Sequence, residues 1–97
     1  HKIIYIEVVS EGICKIFYEQ NSDIKSYNTK AFLKDLENIL NCDLFHRINR
    51  ECLVNLKFVQ SYKEGSITLK IKIGSDLKTL TVSERQIPSF LARFPQK

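Results

Sequence analysis

The chain has 97 residues, of which 43% are hydrophobic and 27% charged, with a formal net charge of +4. This composition excludes intrinsic disorder and is typical of one globular domain over residues 1–97. No apolar run approaches the roughly 18 residues of a membrane-spanning helix, and three glycines and two prolines are too few for a collagen-like repeat or a flexible linker.

The charge is distributed unevenly along the chain. Residues 1–43 contain five lysines and seven acidic residues, a balance of −2, whereas residues 44–97 contain ten basic and four acidic residues, a balance of +6. A one-sided basic surface favours a polyanionic partner such as DNA, because binding to phosphates releases counterions. The same charge balance also occurs in proteins that bind no nucleic acid.

The cysteines are three in number, Cys14, Cys42 and Cys52, so they cannot all pair within the chain. This favours free thiols in a reducing compartment, here the cytoplasm. Cys42 lies four residues before His46, but a structural zinc site needs a second pair of ligands, so we expect no metal. Cys14 and Cys52 stand beside apolar runs and are expected in the core.

The first third of the chain is expected to form an antiparallel meander. Residues 3–9, 13–19 and 24–28 have the β-branched and aromatic composition of strands, and turn-forming residues separate them at 10–12 and 20–23.

A helical period follows the third strand. Five apolar residues recur at helical spacing, which predicts a core-facing stripe: Phe32, Leu33, Leu36, Ile39 and Leu40. Asn28 or Thr29 is the expected N-cap, and Asn41 the expected end.

The second half returns to extended patterns. Strands are predicted at 45–48, 58–62, 67–73 and 77–82, whereas residues 52–56 are too few for periodicity to separate a strand from a helical turn. Ser83 and Gln86 have capping-box spacing. Pro88 allows either a short turn over 83–87 followed by a helix from Pro88, or a helix with a distorted start. Three side chains of this helix are expected in the core, those of Phe90, Leu91 and Phe94.

Motifs of catalysis are missing from the sequence. There is no glycine-rich phosphate loop, Ser83 lacks the glycines of a nucleophile elbow, and His46 stands without a partner acid or base. We therefore expect neither an enzyme nor a cofactor. The polar break at Arg47, Asn49 and Arg50 offers groups that bind guanine, adenine or phosphate, although a solvated loop would have the same composition.

The segment FHRINRECLVNLKFV resembles the signature of LytTR domains, the DNA-binding output modules of bacterial LytR/AlgR-type response regulators. Phe45, Arg47, Val54 and Asn55 match that signature, and the opening IIYIE and CKIFYE resemble the first strands of the family. A second family feature is a strand that ends in Val-Ser-Arg, seen here as residues 82–85 with Glu84 in place of the usual arginine.

The resemblance implies a mainly β fold: an elongated antiparallel β sandwich with one mid-chain helix and a short C-terminal helix. It also implies that loops in the major groove read promoter repeats. Carried over to this chain, the resemblance implies that the loop after Arg47 places Asn49 and Arg50 at the groove. A second set of contacts would come from Ser83, Glu84 and Arg85, and a third from turn 10–13. Glu84 repels phosphate and could accept only from cytosine N4, so Arg85 is expected to replace the usual contact. Lys57 follows the signature without an apolar role and is expected to contact phosphate.

The partners implied are double-stranded DNA, a second copy of the domain on DNA, and an upstream receiver or sensor domain in the full-length protein. One alternative is a β-rich protein–protein interaction module that binds an acidic partner through Arg47 and Arg50. Another is a single-strand binder that stacks bases on Phe58 or Tyr62. Those aromatics alternate with apolar residues, a pattern that favours the core instead.

Overall fold

The computed structural model describes residues 2–40 and 43–94 of the chain. The described residues form eight strands: β1 (Lys2–Ser10), β2 (Ile13–Gln20), β3 (Asp23–Lys30), β4 (Phe45–Asn49), β5 (Cys52–Asn55), β6 (Val59–Lys63), β7 (Ser66–Ile73) and β8 (Asp76–Thr81). They also form two α-helices, α1 (Leu33–Ile39) and α2 (Ile87–Arg93), and two 3-10 turns, Leu56–Phe58 and Glu84–Gln86. The short apolar segment from Cys52 is thus a strand followed by a 3-10 turn.

The strands assemble into two antiparallel sheets. One has five strands in the order β3-β2-β1-β5-β4, and the other has three in the order β6-β7-β8. Among the described strands, only β1 and β5 pair although they are distant in sequence. The predicted mainly β sandwich with two helices is therefore confirmed.

The core occupies both faces of the five-stranded sheet. On one face, Ile4 and Val54 pack with Ile67 and Leu69 of the second sheet and with Phe90 of α2, and each is 0% exposed. Phe58 and Tyr62 are half-buried against this cluster, as expected for core aromatics. On the other face a smaller cluster lies under α1, and its members are Ile6, Cys14, Ile16, Leu33, Phe45 and Leu53.

Glycines with a positive φ support turns between neighbouring strands. Gly12 between β1 and β2 has φ +73°, and Gly74 between β7 and β8 has φ +79°. This left-handed region is strained for residues with a Cβ, so these turns favour glycine. The carbonyl of Gly12 also accepts from the Ala31 amide at 3.0 Å, which ties the end of β3 to the first turn.

The start of α1 differs from the prediction. Asn28 and Thr29 are not N-caps, because β3 stays paired with β2 as far as Lys30. Phe32 occupies the N-cap position, and no side-chain capping bond forms there within the described residues. The expected end at Asn41 lies outside the described residues.

The apolar stripe of α1 is only partly buried. Leu33 is buried, and Leu36 and Leu40 pack against the smaller cluster. Phe32 and Ile39, however, are 59% and 77% exposed, so the expectation that they face the core is wrong. A helix of seven residues presents one narrow face to the sheet, and these two side chains lie off that face.

The C-terminal segment follows the first of the two sequence alternatives. A 3-10 turn precedes α2, and Pro88 is the second residue of that helix. The predicted capping box is wrong for the described structure: the carbonyl of Ser83, rather than its hydroxyl, accepts from the amides of Gln86 at 2.9 Å and Ile87 at 3.2 Å. Phe90 is fully buried, and Leu91 and Phe94 pack beside it as predicted.

Both described cysteines are buried free thiols, as expected. Desolvation raises the pKa of Cys14, and it raises the pKa of Cys52 to about 12, with a further contribution from the nearby Glu7 carboxylate. These thiols therefore stay protonated at neutral pH and behave as small apolar core groups. Cys42 lies outside the described residues. Neither described helix is long and apolar enough to cross a membrane.

Candidate nucleic-acid interface

The turn between β4 and β5 is held in shape by Arg47. Its Nε donates to the carbonyl of Asn49 at 3.2 Å, and its Nη2 donates to the carbonyl of Arg50 at 2.6 Å. Its Nη1 contacts Glu37 Oε1 of α1 at 3.3 Å. All three guanidinium nitrogens of Arg47 therefore bond within the protein and stabilise the turn. The side chain of Arg50, at the tip of the same turn, is exposed.

Asn49 links this turn to the end of β8. Its Oδ1 accepts from the Glu51 amide at 2.8 Å, which closes the turn, and its Nδ2 donates to the carbonyl of Thr81 at 2.7 Å. A backbone bond beside it, from the Ser83 amide to the carbonyl of Ile48, is 2.8 Å long. Residues 83–85 are therefore anchored directly against the β4–β5 turn.

The first turn of the chain lies beside the same structure. Glu7 pairs with Cys52 across β1 and β5, and the Val8 amide donates to the carbonyl of Glu51 at 2.9 Å. Turn 10–13 continues from this point at the same end of the sheet. We call the surface formed by turn 10–13, turn 49–51 and residues 83–85 the loop end. It contains five of the predicted site residues, Asn49, Arg50, Ser83, Glu84 and Arg85, and the sixth, Arg47, bonds to its β4–β5 turn.

The loop end carries charges of both signs. Its exposed charged residues are two arginines and three glutamates, a net charge of −1: Arg50, Arg85, Glu11, Glu51 and Glu84. The basic balance of the second half of the chain is therefore not concentrated at this surface. The arginines can donate to guanine and the neighbouring carboxylates can accept from cytosine N4, so this surface is better suited to contacting base edges than to attracting phosphate in general.

Lys57 lies away from the loop end. It belongs to the 3-10 turn that follows β5, at the end of the strand opposite to Cys52. Three steps of about 3.3 Å separate Cys52 from Asn55, so Lys57 is more than roughly 10 Å from the β4–β5 turn along the strand. The structure thus leaves Lys57 apart from the other six predicted site residues.

Behind the loop end, His46 connects β4 to α2. Arg93 Nη1 donates to the carbonyl of Phe45 at 2.9 Å and lies 3.2 Å from His46 Nδ1. Because an arginine can only donate, Nδ1 accepts and the ring proton is assigned to Nε2, 3.4 Å from Ser89 Oγ. Burial and the Arg93 charge lower the pKa of His46, against an opposing contribution from Glu37. Phe45, His46, Arg93 and Glu37 line a cavity of about 360 Å³.

Sequence reasoning missed two residues of this region. Glu37 is the α1 partner of Arg47, and Glu51 follows Arg50 in the exposed turn. The signal for Glu51 was its adjacency to the arginine in the segment Asn-Arg-Glu. No sequence pattern indicated Glu37, because its contact crosses ten residues and two elements.

Comparison with known proteins agrees with this arrangement. The family model of the LytTr DNA-binding domain matches residues 1–94. Among solved structures, the chain is similar to the LytTr DNA-binding domain of a Bacillus cereus protein described as a methyl-accepting/DNA response regulator. That match has a TM-score of 0.66 and 18% sequence identity, and it covers 98% of this chain and 83% of the other. A search of curated proteins found no match.

The chain belongs to the LytTR family of DNA-binding domains, because the family model covers nearly all of it. At 18% identity the structural match shows a shared fold. The resemblance drawn from the signature segment is confirmed. The chain is thus a DNA-binding output domain of a transcription regulator, in a family of DNA-binding domains rather than of enzymes.

Proposed function

We propose that the domain reads promoter repeats in double-stranded DNA through its loop end, as the output domain of a response regulator. The observation that carries this proposal is the convergence of separate segments on one exposed end. The Asn49 Nδ2 bond to the carbonyl of Thr81 spans 32 residues of sequence and places Arg50 and Arg85 on neighbouring segments. Convergent arginine forks on rigid turns suit direct readout in the major groove.

The residues of the loop end have different roles in this proposal. Arg50 and Arg85, both exposed, donate to guanine edges or phosphates. Arg47 and Asn49 hold the turn, because their polar atoms already bond to the protein. The Ser83 hydroxyl can donate to phosphate, since it makes no capping bond among the described residues. Glu84 either accepts a hydrogen bond from cytosine N4 or repels a neighbouring phosphate.

A protein partner rich in acidic residues is the alternative for this surface. Such a partner would place its carboxylates next to Glu51 and Glu84, where like charges repel. The mixed charge of the loop end therefore favours DNA bases, which present donors and acceptors together.

The proposal includes the wider assembly. Two repeats in a promoter would each receive one copy of the domain, so a homodimer forms on DNA. A receiver or sensor domain upstream of this domain would supply the input. The protein would act in the cytoplasm, which agrees with the buried free thiols of Cys14 and Cys52. Residues 1–97 would form one folding unit.

Selection of duplexes from a random pool tests sequence-specific binding. We expect the domain to enrich a defined motif, and the selected duplex to compete far better than an unrelated one of equal length. A duplex with two motifs should bind two copies of the domain. A selection that returns no motif, with equal competition by all duplexes, would contradict base reading at the loop end.

A further inference from the structure

The end of the sandwich opposite to the loop end has a groove between the two sheets. It has a volume of about 400 Å³, within the range of roughly 300–1,000 Å³ found for small-molecule sites. Three lysines from three separate elements line it: Lys2 of β1, Lys57 of the 3-10 turn and Lys70 of β7. The acidic residue of the lining is Glu19, so three cations and one anion leave the groove with a net charge of +2.

One buried side chain joins the backbone at Lys57 to the backbone next to Lys2. Asn55 is 6% exposed. Its Oδ1 accepts from the Lys57 amide at 2.9 Å, and its Nδ2 donates to the carbonyl of Ile3 at 2.9 Å. Asn55 therefore fixes the backbone at Lys57 and beside Lys2 relative to each other. A fixed backbone lowers the ordering cost when both ammonium groups engage one ligand.

The rest of the groove is apolar. Phe58 and Ile71 contribute to its lining, and Ile71 anchors β7 in the core beside the exposed Lys70. Three like charges around one concavity repel each other, and an anion among them relieves that repulsion. An apolar wall beside a cationic rim suits a ligand with an anionic group on a hydrophobic body.

We propose that this groove is a binding site for a small organic anion. Lys2, Lys57 and Lys70 hold its phosphate or carboxylate group, and Phe58 and Ile71 contact its apolar part. The site faces away from the loop end, so it is separate from DNA reading and does not depend on it. The phosphate contact expected for Lys57 is then made with a small ligand instead of the DNA backbone.

Titration followed by amide NMR tests the site in the absence of DNA. Phenyl phosphate and benzoate are the anionic probes, and benzyl alcohol is the neutral probe of similar shape. We expect both anions to shift the amide signals of Lys57 and Lys70, and benzyl alcohol to leave them unchanged. Lys57→Ala and Lys70→Ala should each weaken phenyl phosphate binding by about 5- to 10-fold, the loss of one charge-assisted contact.

Lys72→Ala is the matched control. Lys72 is an exposed lysine on the same strand as Lys70 but lines a different cleft, so its removal should leave phenyl phosphate binding unchanged. All three variants remove exposed side chains, and their NMR spectra verify the fold. Equal weakening in all three variants would show general charge attraction, and no weakening in any would show that these lysines do not hold the anion. Either result would overturn the proposal.

A further outcome would assign the groove to DNA. If neither anion shifts these signals, while Lys57→Ala and Lys70→Ala weaken binding to every duplex equally, the lysines contact the DNA backbone and the small-anion site is wrong. Motif selection by the loop end is measured separately. The proposal of DNA reading and the proposal of a small-anion site can therefore each fail without the other.

Discussion

Arg47 and Arg50 are three residues apart but have opposite surroundings. The guanidinium of Arg47 is occupied by two backbone carbonyls and Glu37, whereas the side chain of Arg50 is exposed at the tip of the turn that Arg47 supports. A guanidinium whose donors already bond to the protein fixes the conformation of the turn. An exposed guanidinium on a rigid turn can instead form a bidentate contact with guanine. The two arginines are therefore expected to respond differently to substitution.

Arg50→Ala should cost roughly 1–3 kcal/mol of binding free energy at the selected duplex and relax preference at one base position. Loss of one guanine contact is the physical reason. Repeating the duplex selection with the variant measures the effect. Lys72→Ala, an exposed lysine at the end of β7 that lies away from the loop end, is the control and should return the original motif. An unchanged motif from Arg50→Ala would remove Arg50 from base readout.

The β4–β5 turn acts as one unit with the end of β8 through Asn49. Its two hydrogen bonds, to the Glu51 amide and the Thr81 carbonyl, determine where residues 83–85 lie relative to Arg50. The position of residues 83–85 therefore depends on the side-chain amide of Asn49 in the β4–β5 turn.

Asn49→Ala should lower the free energy of unfolding by about 1–2 kcal/mol, since each lost hydrogen bond contributes about 0.5–1.5 kcal/mol. Affinity should fall for every duplex without a change in the preferred motif. Urea denaturation and duplex selection measure the two effects, with Asn28→Ala on exposed β3 as the control. Unaltered stability together with a changed motif would instead identify Asn49 as a base-reading residue.

The attachment of α2 to β4 depends on a neutral His46. Its pKa is lowered by burial and by Arg93, and Nδ1 accepts from that arginine. The unfolded chain, with an ordinary histidine pKa of 6.5, binds the proton more readily than the folded chain. The histidine contribution to stability is therefore complete above about pH 6.5 and is lost as pH falls through the lower folded pKa.

We expect unfolding by urea to occur at lower denaturant concentration at pH 5 than at pH 7. His46→Gln retains a polar side chain but does not titrate, so its stability should fall less over this interval. The groups that face the ring include Arg93 and Ser89 of α2, and the Glu37 carboxylate of α1 opposes the lowering of the His46 pKa. Parallel pH profiles for the two proteins would exclude His46 as the cause.

Charge is arranged on the whole molecule in two groups. Arg50 and Arg85 lie at the loop end with three glutamates, whereas the five described lysines of the second half lie on or beside the three-stranded sheet: Lys57, Lys63, Lys70, Lys72 and Lys78. Under the proposed function, the loop end would therefore attract phosphate only weakly. Glu84 would contribute to this weakness, because its exposed carboxylate repels phosphate.

Glu84→Arg should raise affinity for random duplex and steepen its salt dependence, because a repulsive charge is replaced by one that can neutralise phosphate. Folding stability should change by no more than about 0.5 kcal/mol, since the side chain is exposed. Titration with random duplex at several salt concentrations provides the measurement. Asp76→Arg changes the net charge equally at the β7–β8 turn and should have a smaller effect. Equal affinities for Glu84→Arg and the parent at every salt concentration would place Glu84 away from DNA.

Local patterns in the sequence were enough to predict most of the strands and turns, and the signature segment indicated the family and, through the family, the class of fold. Residues 67–73 alternate between apolar and polar side chains, and Gly12 and Gly74 mark turns whose backbone φ is positive. The signature around Arg47 and Asn55 indicated the family. In this chain Arg47 bonds to the β4–β5 turn, and Asn55 bonds to the 3-10 turn that follows β5. Strand period and turn chemistry are properties of neighbouring residues, so sequence alone contains them.

Contacts between distant residues decided the rest. The segment after Cys52 became a strand because β1 and β4 pair with it on both sides, and Ile39 became exposed because α1 covers the sheet with a single face. The same strand placed Lys57 at one end of the sandwich and Arg50 at the other, although they are seven residues apart in the sequence. Which charged side chains share a surface depends on sheet order and strand direction, and these are set by long-range pairing that no local pattern specifies.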